Sequence, residues 1–424
     1  MFHSLIPFLT FLPAAIATIA PSGPYQRPLK LANNQHQNFI ASSIFAAHEN
    51  GYLELDEPVA LKPTFEWRTF EEEDVISNSG GTFAHLPAVD CFDAENDGTF
   101  DVAIVGHPFD LGVTYRPGAR FGPNAARQGA RRMSPGFGWR QAIRTQTLTI
   151  ISIENNVNPF RDWATVVDCG DISNTPFDKH LALKQLENGM KSINSRSPKN
   201  DTDGKAIRAI SIGGDHTITL PILRALHSTW GRVAVLHFDS HLDTWDPVQL
   251  GGGLSKYTDV NHGTMLHIAH EEGLLSNHSN MHLGTRCPLQ DQHFDLNNDL
   301  RCGFTYIRAR EIDKLGIKEV VRKIVERVGD EYVYLSVDID VLDPAYAPAT
   351  GTIEPGGWTT RELLQIIGGL SEAGLKIVGS DVVEFTPIYD NSAETTGIAV
   401  GEIIYEILQW MVNVPVTLSP RKSA

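Results

Sequence analysis

The chain has 424 residues, 42% of them hydrophobic and 20% charged, with a formal net charge of −16. This is globular composition, and its acidic balance excludes the basic footprint that nucleic-acid binding requires. An acidic surface suits a small cationic substrate or partner, and equally suits plain solubility.

The first twenty residues, MFHSLIPFLTFLPAAIATIA, carry no Lys, Arg, Asp or Glu, and the first charged side chain is Arg27. The apolar stretch is short, is interrupted by Pro7 and Pro13, and ends in small residues with A-x-A at 15–17. It reads as a secretory signal peptide over 1–20, although its n-region lacks a basic residue. No other segment is apolar enough to span a bilayer, so the mature chain is expected to have no membrane span. Residues 21–95 read as an irregular N-terminal extension wrapped on a main domain over 96–415, with a C-terminal tail at 416–424.

Short β-rich runs then recur at DVAIVG (101–106), TVVDCGD (165–171), RAISIGGD (208–215) and VAVLHFD (233–239). They continue with MHLGTR (281–286), FTYIRA (304–309), YVYLSVD (332–338) and LKIVGSDVVE (375–384). Helical patterns fall between several of them, at 180–193, 219–230, 317–328 and 360–373. Continuous apolar strands alternating with helices predict a parallel sheet covered on both faces. Ligands of such sheets bind beyond the carboxyl ends of the strands. Residues 251–262 are Gly-rich and polar and read as a rim, not a phosphate cradle.

Cys91, Cys169, Cys287 and Cys302 form no C-x-x-C, which argues against a cysteine zinc site. Cys287 and Cys302 flank a polar loop and either pair or stay free thiols. Sequons stand at Asn200 and Asn277 and matter only in a secreted chain. His227 reads as partly buried packing, and His267 and His270 as surface or packing residues.

Three strand ends carry the chemistry. SIGGDHT closes on Asp215 and His216, VLHFDSHLD on Asp239, His241 and Asp243, and YLSVDIDVLDP on Asp338, Asp340 and Asp343. Asp215 alone could be a helix cap. Pooled carboxylates at neighbouring strand ends, however, stay ionised only with cations among them. The candidate metal ligands are His216, Asp239, His241, Asp243, Asp338 and Asp340. Their four carboxylates balance two divalent ions, and a mostly oxygen set without thiolate suits manganese better than structural zinc. The spacings D-x-H-x-D and D-x-D put successive ligands on one side of an extended chain.

GGDHT, DSHLD and SVDIDVLDP resemble the three signature motifs of the ureohydrolases, the arginase and agmatinase superfamily. GHPFDLGVTYRPGARFGPNAAR (106–127) resembles the agmatinase branch. The resemblance spans about residues 100–410 and implies a three-layer α/β/α sandwich around an eight-stranded parallel sheet. It implies one Mn2+ ion on His216, Asp239, Asp243 and Asp338, and a second on Asp239, His241, Asp338 and Asp340. By the same resemblance His262, in NHGT, is the proton shuttle and Glu384, in DVVEFTP, binds the guanidinium, while Asp243 orients the attacking water. Asp343 is expected to be structural, and Ser240 departs from the family's usual Ala. The implied reaction is hydrolysis of a guanidino compound to urea and a primary amine, with agmatine giving putrescine. Trp245 replaces the Asn by which arginases hold the substrate α-carboxylate, which disfavours arginine. Guanidinobutyrate is the main competing substrate. A catalytically silent binding protein, or a one-zinc deacetylase of the same fold, would lack part of this ligand set. The family's habit implies a homo-oligomer, a trimer or hexamer.

Overall fold

The computed structural model describes residues 81–133, 158–200, 204–251 and 253–418, all within the compact unit Ser77–Ala424. The expected leader, residues 21–80 of the extension and the end of the tail lie outside the described residues. Eight strands form one sheet: β1 (Val102–Gly106), β2 (Val166–Asp171), β3 (Arg208–Ile212), β4 (Ala234–Phe238), β5 (Asn280–Thr285), β6 (Phe304–Arg308), β7 (Tyr332–Asp338) and β8 (Lys376–Val383). Their order is β2-β1-β3-β8-β7-β4-β5-β6. Every pair is parallel, as the eight apolar runs predict.

The inner strands are buried on both faces, whereas the edge strands β2 and β6 carry exposed residues. Alternate residues enter two separate cores: Val102, Ile104, Leu236 and Leu335 face one, and Ala103, Val105, Val235 and Tyr334 face the other. The first core is closed by α6 (Ile317–Val328), α7 (Thr360–Glu372) and α8 (Thr395–Asn413), through residues such as Ile324, Ile366 and Ile403. The second is closed by α2 (Lys179–Asn194), α3 (Thr219–Trp230) and α4 (Met265–Glu271), through Leu186, Leu223 and Leu266. The result is a three-layer α/β/α sandwich. Helix starts are set locally. Asp178 accepts from the Leu181 amide to open α2, and a Thr359–Glu362 capping box opens α7. Two further helices matter below, α1 (Gly122–Gly129) and α5 (Gln292–Arg301).

Phe83, Ala84 and Leu86, from the described end of the 21–95 stretch, are buried in the first core. A disulfide joins Cys91 to Cys169 of β2. Cys287 and Cys302 do not pair and are free thiols. Cys287 follows the carboxyl end of β5 while Cys302 precedes the amino end of β6. In a parallel pair those ends lie a strand length apart, so a polar connecting loop does not bring the thiols together. His227 is exposed on α3 rather than partly buried. His267 is buried against Asn298, with its Nδ1 3.1 Å from Asn298 Nδ2.

The helix layer packs closely where α1 crosses α8. A Cβ on Gly129 would lie 2.0 Å from the Gly397 carbonyl oxygen, and backbone cannot yield as a side chain does. Gly129→Ala is therefore expected to destabilise the protein by about 1–3 kcal/mol, read from denaturant unfolding. A variant as stable as wild type would contradict the packing described.

Candidate metal centre

The four central strands, β3, β8, β7 and β4, are neighbours, and each ends in a candidate group. The turn after β3 supplies His216, the residue after β8 is Glu384, β7 and its exit supply Asp338 and Asp340, and the exit of β4 supplies Asp239, His241 and Asp243. Parallel strands leave all their carboxyl ends on one edge, so residues far apart in sequence meet there.

His216 Nδ1 lies 3.1 Å from Asp239 Oδ2, 3.2 Å from Asp243 Oδ2 and 3.3 Å from Asp338 Oδ2. His241 Nδ1 lies 3.0 Å from Asp340 Oδ2 and 3.2 Å from Asp239 Oδ1. Asp239 thus faces one cluster with each oxygen. The donor atoms of His216, His237, Asp239 and Asp243 fall within 4.8 Å of one another, as do those of Asp239, His241 and Asp340. All are buried except His241, which is partly so. All six expected ligands are brought together. Asp215 is not among them: it accepts from the Gly112 and Thr217 amides, the turn-capping role open to it.

The donor chemistry fits divalent cations. His216 Nδ1, His237 Nε2 and Asp239 Oδ2 are buried without a hydrogen-bond partner, although they face one another across about 3 Å. Atoms so close that still make no hydrogen bond are arranged as ligands are, around a common point. Electrostatics agrees. Burial and the neighbouring Asp340 and Asp239 push Asp338 well above the ordinary carboxylate range. Burial also raises Asp239, but the imidazoles of His237, His216 and His241 outweigh it and hold that carboxyl well below its usual value. His216 would be lowered by burial, yet Asp239, Asp243 and Asp338 hold it well above the ordinary imidazole value. The cluster is a knot of unbalanced charge that cations would compensate.

Several supporting groups lie outside the expected set. His216 Nε2 is 2.7 Å from Ser336 Oγ, which donates to Asp381 Oδ1 at 2.7 Å. This chain leaves the metal-side nitrogen of His216 free as an acceptor. Ser240 donates through its amide and hydroxyl to Asp340 Oδ1, at 3.0 and 2.7 Å, so the departure from Ala braces a ligand. His237 joins the first cluster. Its only sequence signal was its position two residues before Asp239, on the same face of the strand. Asp343 accepts from the Ala345, Gly356 and Gly357 amides and is structural.

Beside the cluster, Glu384 Oε1 accepts from the His216 amide at 2.8 Å and lies 3.0 Å from His262 Nδ1. Its Oε2 is buried and unpartnered. Burial lowers His262, but Glu384 more than offsets it and holds the imidazole up to about 9. Thr114 Oγ1 lies 2.7 Å from His262 Nε2. Asp243 and Glu384 have left-handed backbones, with φ of 55° and 60°. For non-glycine residues that conformation costs energy and persists only where surroundings impose it. Arg127 pairs with Asp168 and Asp171 and ties α1 to β2, while Arg120 pairs with Asp110 in the loop after β1. Trp245 is buried with its ring 6.4 Å from that of His241, at the cluster's edge.

Residues 100–409 match the model of the arginase family. The chain belongs to the arginase family. It is 47% identical over 353 residues to "Putative agmatinase 1" of Schizosaccharomyces pombe, covering 81% of this chain and 85% of that protein. It is 35% identical to the agmatinase of Neisseria meningitidis serogroup C, over 73% of this chain and 86% of that one. Among solved structures, proclavaminate amidino hydrolase from Streptomyces clavuligerus superposes with a TM-score of 0.64 at 32% identity. That alignment covers 78% of this chain and 97% of the other. As an arginase-family member the chain is a hydrolase acting on guanidino carbon–nitrogen bonds.

Removing one repelling carboxylate should have opposite effects with and without metal. Ionising Asp338, whose folded value is raised, costs stability as pH rises above the ordinary carboxylate range. At pH 8, Asp338→Asn is expected to raise the melting temperature of metal-stripped protein. It should also abolish the stabilisation that a bound divalent ion would give wild type, about 2.7 kcal/mol per site at a hundredfold excess over Kd. A fall in the metal-free melting temperature would contradict the repulsion inferred here.

Proposed function

We propose that the protein is a dimanganese agmatinase, hydrolysing agmatine to urea and putrescine. The observation that carries this reading is the buried, unpartnered Oε2 of Glu384 beside the ligand cluster. A buried carboxylate oxygen with no donor is an acceptor in waiting, and a guanidinium offers planar N–H groups of opposite charge. The first ion would take His216, Asp239, Asp243 and Asp338, and the second Asp239, His241, Asp338 and Asp340. Two such ions supply a water made nucleophilic near neutral pH.

The chain's own residues would do the rest. Glu384 Oε1 is held by the His216 amide and by His262, so Oε2 is the oxygen that orients the guanidinium. Asp243, in the cluster, would align the attacking water by accepting a hydrogen bond from it. The new C–O bond converts the guanidinium carbon to a tetrahedral centre. Breaking its C–N bond releases the amine, which needs a proton. His262, held protonated up to about 9 by Glu384, is the group to give it, and it is replenished from the water's proton. In this reading Trp245 stands where an arginase would anchor an α-carboxylate, which agmatine lacks. The agmatinase names of the relatives support the same substrate.

Purified, manganese-loaded protein should release urea from agmatine far faster than from guanidinobutyrate or arginine. Glu384→Gln should lose about 10²-fold or more in kcat/KM. The kcat profile should fall on the alkaline side near pH 9, where His262 loses its proton. His262→Asn should lower kcat by about 10²–10⁴-fold and remove that limb. Turnover of guanidinobutyrate instead of agmatine would overturn the substrate assignment.

We further propose that residues 1–20 direct the chain into the secretory pathway. The Cys91–Cys169 disulfide supports an oxidising compartment. Of the two sequons, Asn277 is exposed, whereas the Asn200 amide donates to Asp101 Oδ2 and the Trp163 carbonyl, both at 2.8 Å. Expressed with its own leader in a eukaryotic host, the protein should reach the medium carrying an N-glycan at Asn277, detected as a mass shift on enzymatic deglycosylation. Retention inside the cell without glycan would contradict secretion.

A further inference from the structure

A line of buried polar groups runs from the metal cluster to helix α5 and is not used by the reaction described above. His237 Nε2 lies 3.1 Å from Asp239 Oδ2. The other nitrogen of that ring, Nδ1, is 2.8 Å from His282 Nδ1. His282 Nε2 is 2.7 Å from Asp299 Oδ1. Both imidazoles are 0% exposed and Asp299 is 2% exposed. The His282 ring is stacked on Phe304 with centroids 4.1 Å apart, which fixes its plane.

The proton order along this line follows from one end. A buried carboxylate beside His282 Nε2 accepts, so that nitrogen carries the hydrogen. In the neutral ring His282 Nδ1 then has a lone pair and accepts from His237 Nδ1–H. His237 Nε2 is left with its lone pair facing Asp239 Oδ2, an arrangement that only a cation between the two would favour and that matches the lack of a hydrogen-bond partner on either atom. Asp299 also reaches the cluster by a second route. Thr244 Oγ1 donates to Asp299 Oδ1 at 2.7 Å, and the adjacent Asn298 Nδ2 donates to the Thr244 carbonyl at 2.6 Å. Thr244 follows Asp243, the ligand with the left-handed backbone. Helix α5 thus holds the exit of β4 from behind.

We propose that Asp299 is a positioning residue for the metal centre. Through His282 it sets the tautomer of His237, and through Thr244 it fixes the backbone beside Asp243. Asp299 is no ligand itself. The inference rests on the reading of the cluster as a metal site. Partners behind a ligand shell commonly account for about 10–100-fold in metal affinity.

Metal-stripped wild type, Asp299→Asn and Asp299→Ala would be titrated with manganese by calorimetry, and each melted without metal. Asp299→Ala is expected to bind about 10–100-fold more weakly than wild type. Asp299→Asn, which keeps an acceptor but no charge, should fall between them. The metal-free melting temperatures should change far less than the affinities. Variants that bind as wild type does would overturn the proposal while leaving the metal site standing. A wild type that binds no manganese would overturn both. Should either variant fail to fold, long-range 1H–15N spectra of the histidines in the wild-type protein decide the matter. Protonated Nε2 with bare Nδ1 on His282 is expected, and the reverse assignment overturns the relay.

Discussion

The rest of this structure depends on four aspartates that the fold forces together in a buried space. Asp239, Asp243, Asp338 and Asp340 are each 5% exposed or less, and removing an ion from water costs several kcal/mol even after relaxation. The protein accepts that cost at the edge of its sheet rather than in its core. Imidazoles stand among them as possible nitrogen donors, and divalent cations would cancel the remaining charge. The capping turn at Asp215 and the exits of β4 and β7 aim these groups at one another.

Strain and support are distributed accordingly. Asp243 and Glu384 hold left-handed conformations that surrounding contacts must enforce. Glu384 is fixed through its own amide, which donates to Gly214 O at 2.9 Å, and through the His216 amide on Oε1. Each cluster histidine that faces the first site is backed on its far side. His216 leans on Ser336 and Asp381, and His237 leans on His282 and Asp299. The repetition of one device, a buried carboxylate behind an imidazole, suggests how a parallel sheet turns several soft side chains into a rigid ligand set.

How much of this was legible in the sequence depended on distance along the chain. The strands announced themselves because burial on both faces makes the inner ones predominantly apolar, while the edge strands β2 and β6 keep short apolar runs beside exposed residues. The ligands were legible because D-x-H-x-D and D-x-D compress several donors into one strand end. His262 and Glu384 were legible only by resemblance to the ureohydrolase motifs. Asp299, His282 and Asp381 carried no signal, since each is a single polar residue whose partners lie on other elements far along the chain. The state of the cysteines stayed open in the sequence for a related reason. Cys287 and Cys302 are close in sequence but sit at opposite ends of adjacent strands, whereas Cys91 and Cys169, 78 residues apart, are bonded. His227 was placed half inside by helix periodicity and is exposed, because α3 buries a stripe that stops short of it.

The central claim is that the carboxylate cluster is built around two cations. Anomalous diffraction recorded at the manganese absorption edge, on crystals of the manganese-loaded protein, tests it most directly. The account predicts two peaks per chain. One should lie among His216, Asp239, Asp243 and Asp338, and the other among Asp239, His241, Asp338 and Asp340. A single peak, or none, at full manganese saturation would contradict it.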